Sequence, residues 1–436
     1  MELERIEIGF IGIAILLGLI GIRVPIGAAM GGTAFVGIWW MMGWKPAVGI
    51  AKAVPFHEIG NWNLSAIPMF LLMGFIAVEA GLTRGLFGSA RVLLSWLPGG
   101  LASSTVAASA LFASASGSSV ATAAAFSRIA VPEMLDAGYN RGLATGSVAA
   151  AGTLGALIPP SVLMIVFGML LDTPIKQLFI AGIIPGLLTA LMFLLLITVR
   201  ASLNPSLAPR VRVEVTPAEK RALISDAWPL PVLILGVMGG IFAGVVTATE
   251  AGAAGAFLAT VLAFMRGRLS LDILKRSLMD TARGTAEIFM VMLGAALFTR
   301  FVGLATIPNW IIGAFEGFST FEVILLICLL FLVLGAFLES ISIMLLCLPI
   351  LGPLLVAHDV NLIWFGVITI KLLEIGLVTP PMGMNVFVIK SSMGDRVSLV
   401  EIFKGVSWFV GIDLVTLGLL LAFPAISLWL PALMMN

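Results

Sequence analysis

Of the 436 residues, 60% are hydrophobic and only 11% are charged, and the formal net charge is +1. A soluble domain carries about a quarter charged residues, so this composition excludes an ordinary globular chain and places nearly all of the protein in lipid. The near-neutral balance offers no basic surface of the kind that nucleic-acid binding requires.

The first residues, Met1-Glu2-Leu3-Glu4-Arg5, are acidic, and no small-residue cleavage site follows the first apolar run. That run is therefore expected to stay as a helix and not to be removed as a signal peptide. Apolar segments recur at 8–22, 24–42, 65–82, 178–199 and onward to 430. Roughly a dozen approach the ~20 residues that span a bilayer, which predicts an all-α polytopic membrane protein. Cys328 and Cys347 both fall inside apolar runs and read as packing residues, not as a disulfide or a metal site.

Lys and Arg collect in alternate loops. Arg23, Arg84, Arg91, Arg128, Arg141, Arg200, Arg210, Arg212, Lys220, Arg221, Arg266, Arg268, Lys275, Arg276, Arg283, Lys390, Arg396 and Lys404 make up 18 of the 24. Arg5, Lys45, Lys52, Lys176 and Arg300 fall in the loops between, and Lys371 lies within a helix. By the positive-inside rule the larger set faces the cytoplasm of a bacterial inner-membrane protein, and both termini lie on the periplasmic side.

Two stretches break the helix rules in the same way. GALIPPS begins at Gly155 and GLVTPPM at Gly376, an offset of 221 residues that also superimposes Pro132 on Pro353 and Ser119 on Ser340. A double proline removes two backbone donors and forces the preceding residue out of helical geometry, so each segment predicts two half-helices joined by an unwound link. Such a link survives at membrane depth only when buried in protein or facing a wet cavity. With the loop at 200–226 cytoplasmic, the first broken helix exits outside near Asp172 and the second exits inside near Lys390, so the repeats are inverted. Inverted repeats with discontinuous helices point to a secondary transporter with its site near the midplane.

A polar interruption precedes each broken helix: Ser114-Ala115-Ser116-Gly117-Ser118-Ser119 and Glu339-Ser340-Ile341-Ser342. The flanking arms at 101–113 and 120–131 are each too short to span ~30 Å at 1.5 Å per residue, which predicts a re-entrant hairpin with its tip in the membrane. The first hairpin opens to the cytoplasm and the second to the outside.

At these residues the chain resembles the large membrane subunit of the tripartite ATP-independent periplasmic (TRAP) transporters. The resemblance rests on PMFLLMGFIAVEAGL from Pro68, TATEAGA from Thr247, SASGSSVATAAA from Ser114, IAVPEMLDAGYN from Ile129, GTLGALIPPSVLMIVFG from Gly152 and KLLEIGLVTPPMGMNVFVIKS from Lys371. It implies an elevator-type transporter of the dicarboxylate-type family. Scaffold helices and an arm are expected at 1–100, transport-domain repeat 1 at 101–177, scaffold helices with cytoplasmic loops at 178–284, arm helices at 285–320, transport-domain repeat 2 at 321–392 and a C-terminal helix at 393–436. The partners it implies are a small membrane subunit and a periplasmic substrate-binding protein. Thr122 stands where some members of that family carry an acidic residue, so the first site is expected to lack a carboxylate there.

A hard cation such as Na+ wants several oxygen ligands, and an unwound link beside hydroxyls supplies them without many buried carboxylates. The first ion site is read at Ser116, Gly117, Ser119, Gly155 and Pro159, and the second at Glu339, Ser340, Ser342, Thr379 and Gly383. Small residues also serve helix packing, so only the constellation points to an ion. A small carboxylate substrate is expected between the tips, held by half-helix N-termini and by Ser118, Thr122, Thr379 and Asn385. Lys371 and Glu374, at i and i+3, are expected to pair with each other. Glu250 reads as the N-terminal partner of a helix dipole, and His57 and His358 as surface residues.

No HExxH, GxSxG or GxxxxGK[ST] motif occurs, which argues against an intramembrane enzyme and a primary pump. An ion channel fits broken inverted repeats less well than alternating access does. The sequence thus supports sodium-coupled uptake of a small organic carboxylate such as a C4-dicarboxylate, or alternatively a one-component carboxylate symporter, sodium- or proton-coupled, without a binding protein.

Overall fold

The computed structural model describes residues 4–210 and 216–434, which form helices and connecting turns with no strand among them. Met1 to Leu3, Arg212 and the last two residues, all part of the charge and terminus readings above, lie outside the described residues.

Among the described residues, seven helices are long and apolar enough to cross a membrane, and the pair Arg141–Leu157 with Val162–Leu170, bent by 45° at its break, makes up to eight. The roughly dozen apolar runs therefore resolve into full spans, half-helices and hairpin arms. Ile26–Met42 and Thr320–Gly335 are among the shorter apolar helices.

The 221-residue offset organises far more than the proline pairs. It carries Ile26–Met42 onto Ala248–Met265, and the helix Arg141–Gly152 onto the start of Leu362–Gly376. It also places Ile175–Leu203 on Leu399–Ala422 to within a few residues, and Ala66–Glu79 inside the long helix Leu271–Leu304. Pro217–Ala227 has no counterpart among the described residues.

Packing is reciprocal between the repeats. Ile26–Met42 runs along Leu271–Leu304, and their counterparts Ala248–Met265 and Ala66–Glu79 pack on each other. Arg141–Gly152 packs on Leu399–Ala422, just as Leu362–Gly376 packs on Ile175–Leu203. Two of these crossings are backbone-close because glycine sits at the contact: a Cβ on Gly294 would stand 2.1 Å from the carbonyl oxygen of Gly27, and one on Gly405 would stand 1.9 Å from that of Gly142.

The loops gather at two ends. At one end Arg91 pairs with Glu133, Arg266 with Asp226, Arg276 with Glu79 and Arg141 with Glu401, joining the loops of the larger basic set. At the other, Asn61, Asp172, Lys176 and Thr249 line one polar depression. Glu250 closes a capping box with Thr247 at a helix start, accepting from the Thr247 amide at 2.9 Å.

Each hairpin is formed. Gly100–Ser116 and Ser119–Asp136 turn at Gly117, whose φ of +61° is the left-handed conformation that glycine supplies without steric cost. Thr320–Gly335 and Ser340–Ala357 make the second, closed at its base by a 3.3 Å hydrogen bond from Thr320 Oγ1 to the carbonyl of His358. Cys328 and Cys347 are buried in its two arms as free thiols.

Candidate functional site

The two tips meet at a cavity of about 150 Å³. Ser118, Ser119 and Val120 line it from the first hairpin and Glu339, Ser340 and Ile341 from the second, position for position at the 221-residue offset. Ala156 and Leu377, also 221 apart, come from the broken helices, and Leu71 and Ile288 close the sides. The cavity therefore sits on the pseudo-twofold relation between the repeats. Both hairpin tips thus meet within the protein at one cavity, as the re-entrant reading expects.

Around the first tip, the Ser116 and Thr122 hydroxyls lie 3.2 Å apart, and Thr122 Oγ1 donates to the carbonyl of Ser118 at 2.8 Å. Ser118 caps the second arm by accepting from the amide of Ala121 at 3.3 Å. The first link packs directly on this turn: a Cβ on Gly155 would lie 3.2 Å from that of Ala113 and 3.4 Å from the backbone of Ser118, and one on Gly117 would lie 3.8 Å from the carbonyl of Pro160. Ser116, Gly117, Ser119 and Gly155 are thus neighbours, and Pro159 is buried in the same link.

Around the second tip, Glu339 is the N-cap residue of Ser340–Ala357 and accepts a 3.1 Å hydrogen bond from Ser342 Oγ. Ser340 Oγ is buried without a partner. The second link is tied to this hairpin by the amide of Met382, which donates to the carbonyl of Ala336 at 3.2 Å, and Gly383 turns into Met384–Met393 with a φ of +40°. Both Pro–Pro bonds, Pro159–Pro160 and Pro380–Pro381, are cis. The links differ in environment, since Pro159 and Pro160 are buried whereas Pro380, Pro381 and Met382 are exposed.

Three residues read as substrate ligands do not line the cavity. Thr122 is fully buried one turn below the tip, and Thr379 Oγ1 donates to the carbonyl of Ile375 at 2.6 Å. Asn385 Nδ2 donates to the carbonyl of Ala149 at 3.2 Å, which joins one broken helix to the other, and its Oδ1 is buried without a partner.

The expected pairing of Lys371 with Glu374 is not formed. Lys371 pairs with Asp413 of Leu399–Ala422 and donates to Thr189 Oγ1 at 3.2 Å, while Glu374 accepts from Ser119 Oγ at 2.6 Å. Both charged side chains of that helix are buried, so each is satisfied by whichever helix packs over it, and i, i+3 proximity loses to these partners. The sequence reading named Glu374 but gave it the wrong partner, and it missed Asp413, the partner of Lys371. Asp413, a carboxylate within the apolar C-terminal two-thirds of a 24-residue helix, is the signal the sequence offers. Among the described residues no group of three or more His, Cys, Asp or Glu side chains gathers as a metal cluster.

The family model for the tripartite ATP-independent periplasmic transporter, DctM component, matches residues 13–426. The chain belongs to this transporter family. It is 34% identical over 382 residues, covering 86% of this chain and 88% of the relative, to the C4-dicarboxylate TRAP transporter large permease protein DctM of Pseudomonas aeruginosa. To the sialic acid TRAP transporter large permease protein SiaM of Vibrio cholerae it is 32% identical, covering 96% of this chain and 97% of the relative. In fold it is similar to the Alcanivorax borkumensis YdaH transporter, with a TM-score of 0.62, 13% identity, and coverage of 88% of this chain and 89% of that one. A DctM component is a membrane transporter subunit and not an enzyme, and its re-entrant tips and paired broken helices are the parts that the repeat places at the centre of the molecule.

Proposed function

We propose that this DctM component carries a small organic carboxylate across the inner membrane together with sodium, by an elevator movement of the hairpins and broken helices at 101–177 and 321–392 against the remaining helices. The observation that carries this reading is the cavity between the tips, lined by equivalent positions of the two repeats. Alternating access is obtained most simply when a site lies on the relation that exchanges the two repeats.

The lining contains no Lys or Arg and one carboxylate, Glu339. An anion entering there needs counter-charge, which the N-termini of Ser119–Asp136 and Ser340–Ala357 supply in part and bound cations supply further. The unpartnered hydroxyl oxygen of Ser340, with the carboxylate of Glu339 and the carbonyls of the links, fits the oxygen donor set of a hard cation. Two of its relatives are named for C4-dicarboxylate and for sialic acid, both carboxylic acids, which supports the substrate class. Their names as TRAP large permeases support a small membrane subunit and a periplasmic binding protein as partners, and the distribution of Lys and Arg supports both termini of this chain being periplasmic.

Reconstituted vesicles containing this chain and its small subunit, supplied with the binding protein and a C4-dicarboxylate, test the reading. Uptake should collapse when potassium replaces sodium at constant pH. Uptake driven equally well by a pH gradient alone would overturn sodium coupling and make Glu339 or Glu374 the proton carrier. Undiminished uptake without binding protein would favour a one-component symporter.

A further inference from the structure

A second cavity, of about 540 Å³, opens where the first broken helix begins, at the end where the basic loops gather, and shares no lining residue with the cavity between the tips. Three cations, Arg141, Arg200 and Lys404, face a single carboxylate, Glu401. That carboxylate is already engaged: its Oε2 accepts from the amide and the hydroxyl of Ser398, each at 2.8 Å, while its Oε1 lies 3.5 Å from Arg141. The Arg200 guanidinium stacks 4.4 Å from the ring centre of Trp408, and its Nη1 is buried without an acceptor. A buried guanidinium nitrogen without an acceptor, beside two further cations, is the arrangement that a doubly bonding oxyanion completes.

We propose that this cavity binds a phosphate group, presented by the headgroup of an anionic phospholipid. The rim argues for lipid. Trp408, which lines the cavity, is 55% exposed, and Leu203 and Val400, three residues from Arg200 and one from Glu401 along their helices, are 81% and 61% exposed, so apolar surface on which acyl chains can lie stands near the cations. Tryptophan favours that depth of the bilayer, and basic pockets between helices on this face recognise anionic headgroups.

The test uses the full chain, stripped of lipid in detergent, with its thermal midpoint followed against added short-chain phosphatidylglycerol, phosphatidylcholine or inorganic phosphate. Phosphatidylglycerol should raise the midpoint in a saturable way and phosphatidylcholine should not. The Arg141→Gln/Lys404→Gln variant, altered at two exposed side chains, should need roughly tenfold more phosphatidylglycerol for half the effect. The Arg283→Gln control, an exposed cation elsewhere on the same face, should titrate as the unaltered chain does. Equal responses to the two lipids, or an unchanged titration in the double variant, would overturn the site. A response to inorganic phosphate as large as that to phosphatidylglycerol, and lost in the double variant, would keep the phosphate site and overturn its lipid source.

Discussion

Ser119 in the first hairpin tip donates its hydroxyl to Glu374 of the second broken helix across 2.6 Å, so one hydrogen bond joins the two repeats beside the central cavity. Ser119 is also a lining residue of that cavity, and the second oxygen of Glu374 is buried without a partner. Asn385 makes a second tie between repeats through the carbonyl of Ala149. Any displacement of the first tip relative to the second broken helix must break or carry these bonds.

Replacing Ser119 by Ala should therefore impair transport more than folding. The carboxyl of Glu374 loses its one hydroxyl donor, a loss of about 1 to 3 kcal/mol for a buried hydrogen bond to such a group. Uptake in vesicles should fall at least several-fold while the thermal midpoint drops by only a few degrees. Ser119→Thr, which keeps the hydroxyl, should recover much of the rate. Wild-type uptake in the alanine variant would mean that the bond is dispensable.

Lys371 and Asp413 should behave as a unit. Both are buried, and removing one partner leaves an uncompensated charge, a loss of about 3 to 5 kcal/mol. Lys371→Met and Asp413→Leu are each expected to lower stability strongly, whereas the double variant, with no charge left, should recover most of the loss. Thermal midpoints of the four proteins in detergent form the double-mutant cycle. Additive losses would show that the two side chains do not interact.

The sequence made the repeat legible because prolines and polar tips are conspicuous against an apolar background, and two of them recur at one offset. It also brought out the hairpins, since Gly117 and the serines around it interrupt runs that otherwise read as helix. The partners of Lys371 and Glu374 were not legible, because only tertiary packing decides which helix covers a buried charge: Asp413 stands 42 residues from Lys371, and Ser119 stands 255 residues from Glu374. The same holds for Asn385, whose side chain joins the broken helices outside the cavity, and for Thr122, whose hydroxyl is taken up by its own backbone. Nor did the pattern show that one link is buried and the other exposed, since GALIPPS and GLVTPPM break a helix by the same chemistry.

The links carry the most direct test of the site. In the second, Pro380 and Pro381 lack amide protons, so the carbonyl of Gly376 accepts instead from Thr379 at 3.1 Å and that of Leu377 from Asn385 at 3.1 Å. Alanine at both positions restores two donors which, in a continuous helix, point at the carbonyls of Gly376 and Leu377. Each proline removed from a helix interior also gains up to about 3 kcal/mol of propensity, so the straightened helix is favoured and the bond from Met382 to Ala336 on the second hairpin is lost. The Pro380→Ala/Pro381→Ala protein should express well and melt no lower than wild type. Its uptake should vanish or require at least about tenfold more sodium, a shift of about 1.4 kcal/mol or more in ion affinity. Pro159→Ala/Pro160→Ala should lose uptake in the same way but with a lower thermal midpoint, because those prolines are buried against the first tip and their loss leaves space unfilled. Sodium titrations of uptake and melting curves on both variants check this. Unaltered sodium dependence in both would show that the breaks are packing kinks and that the ions bind elsewhere.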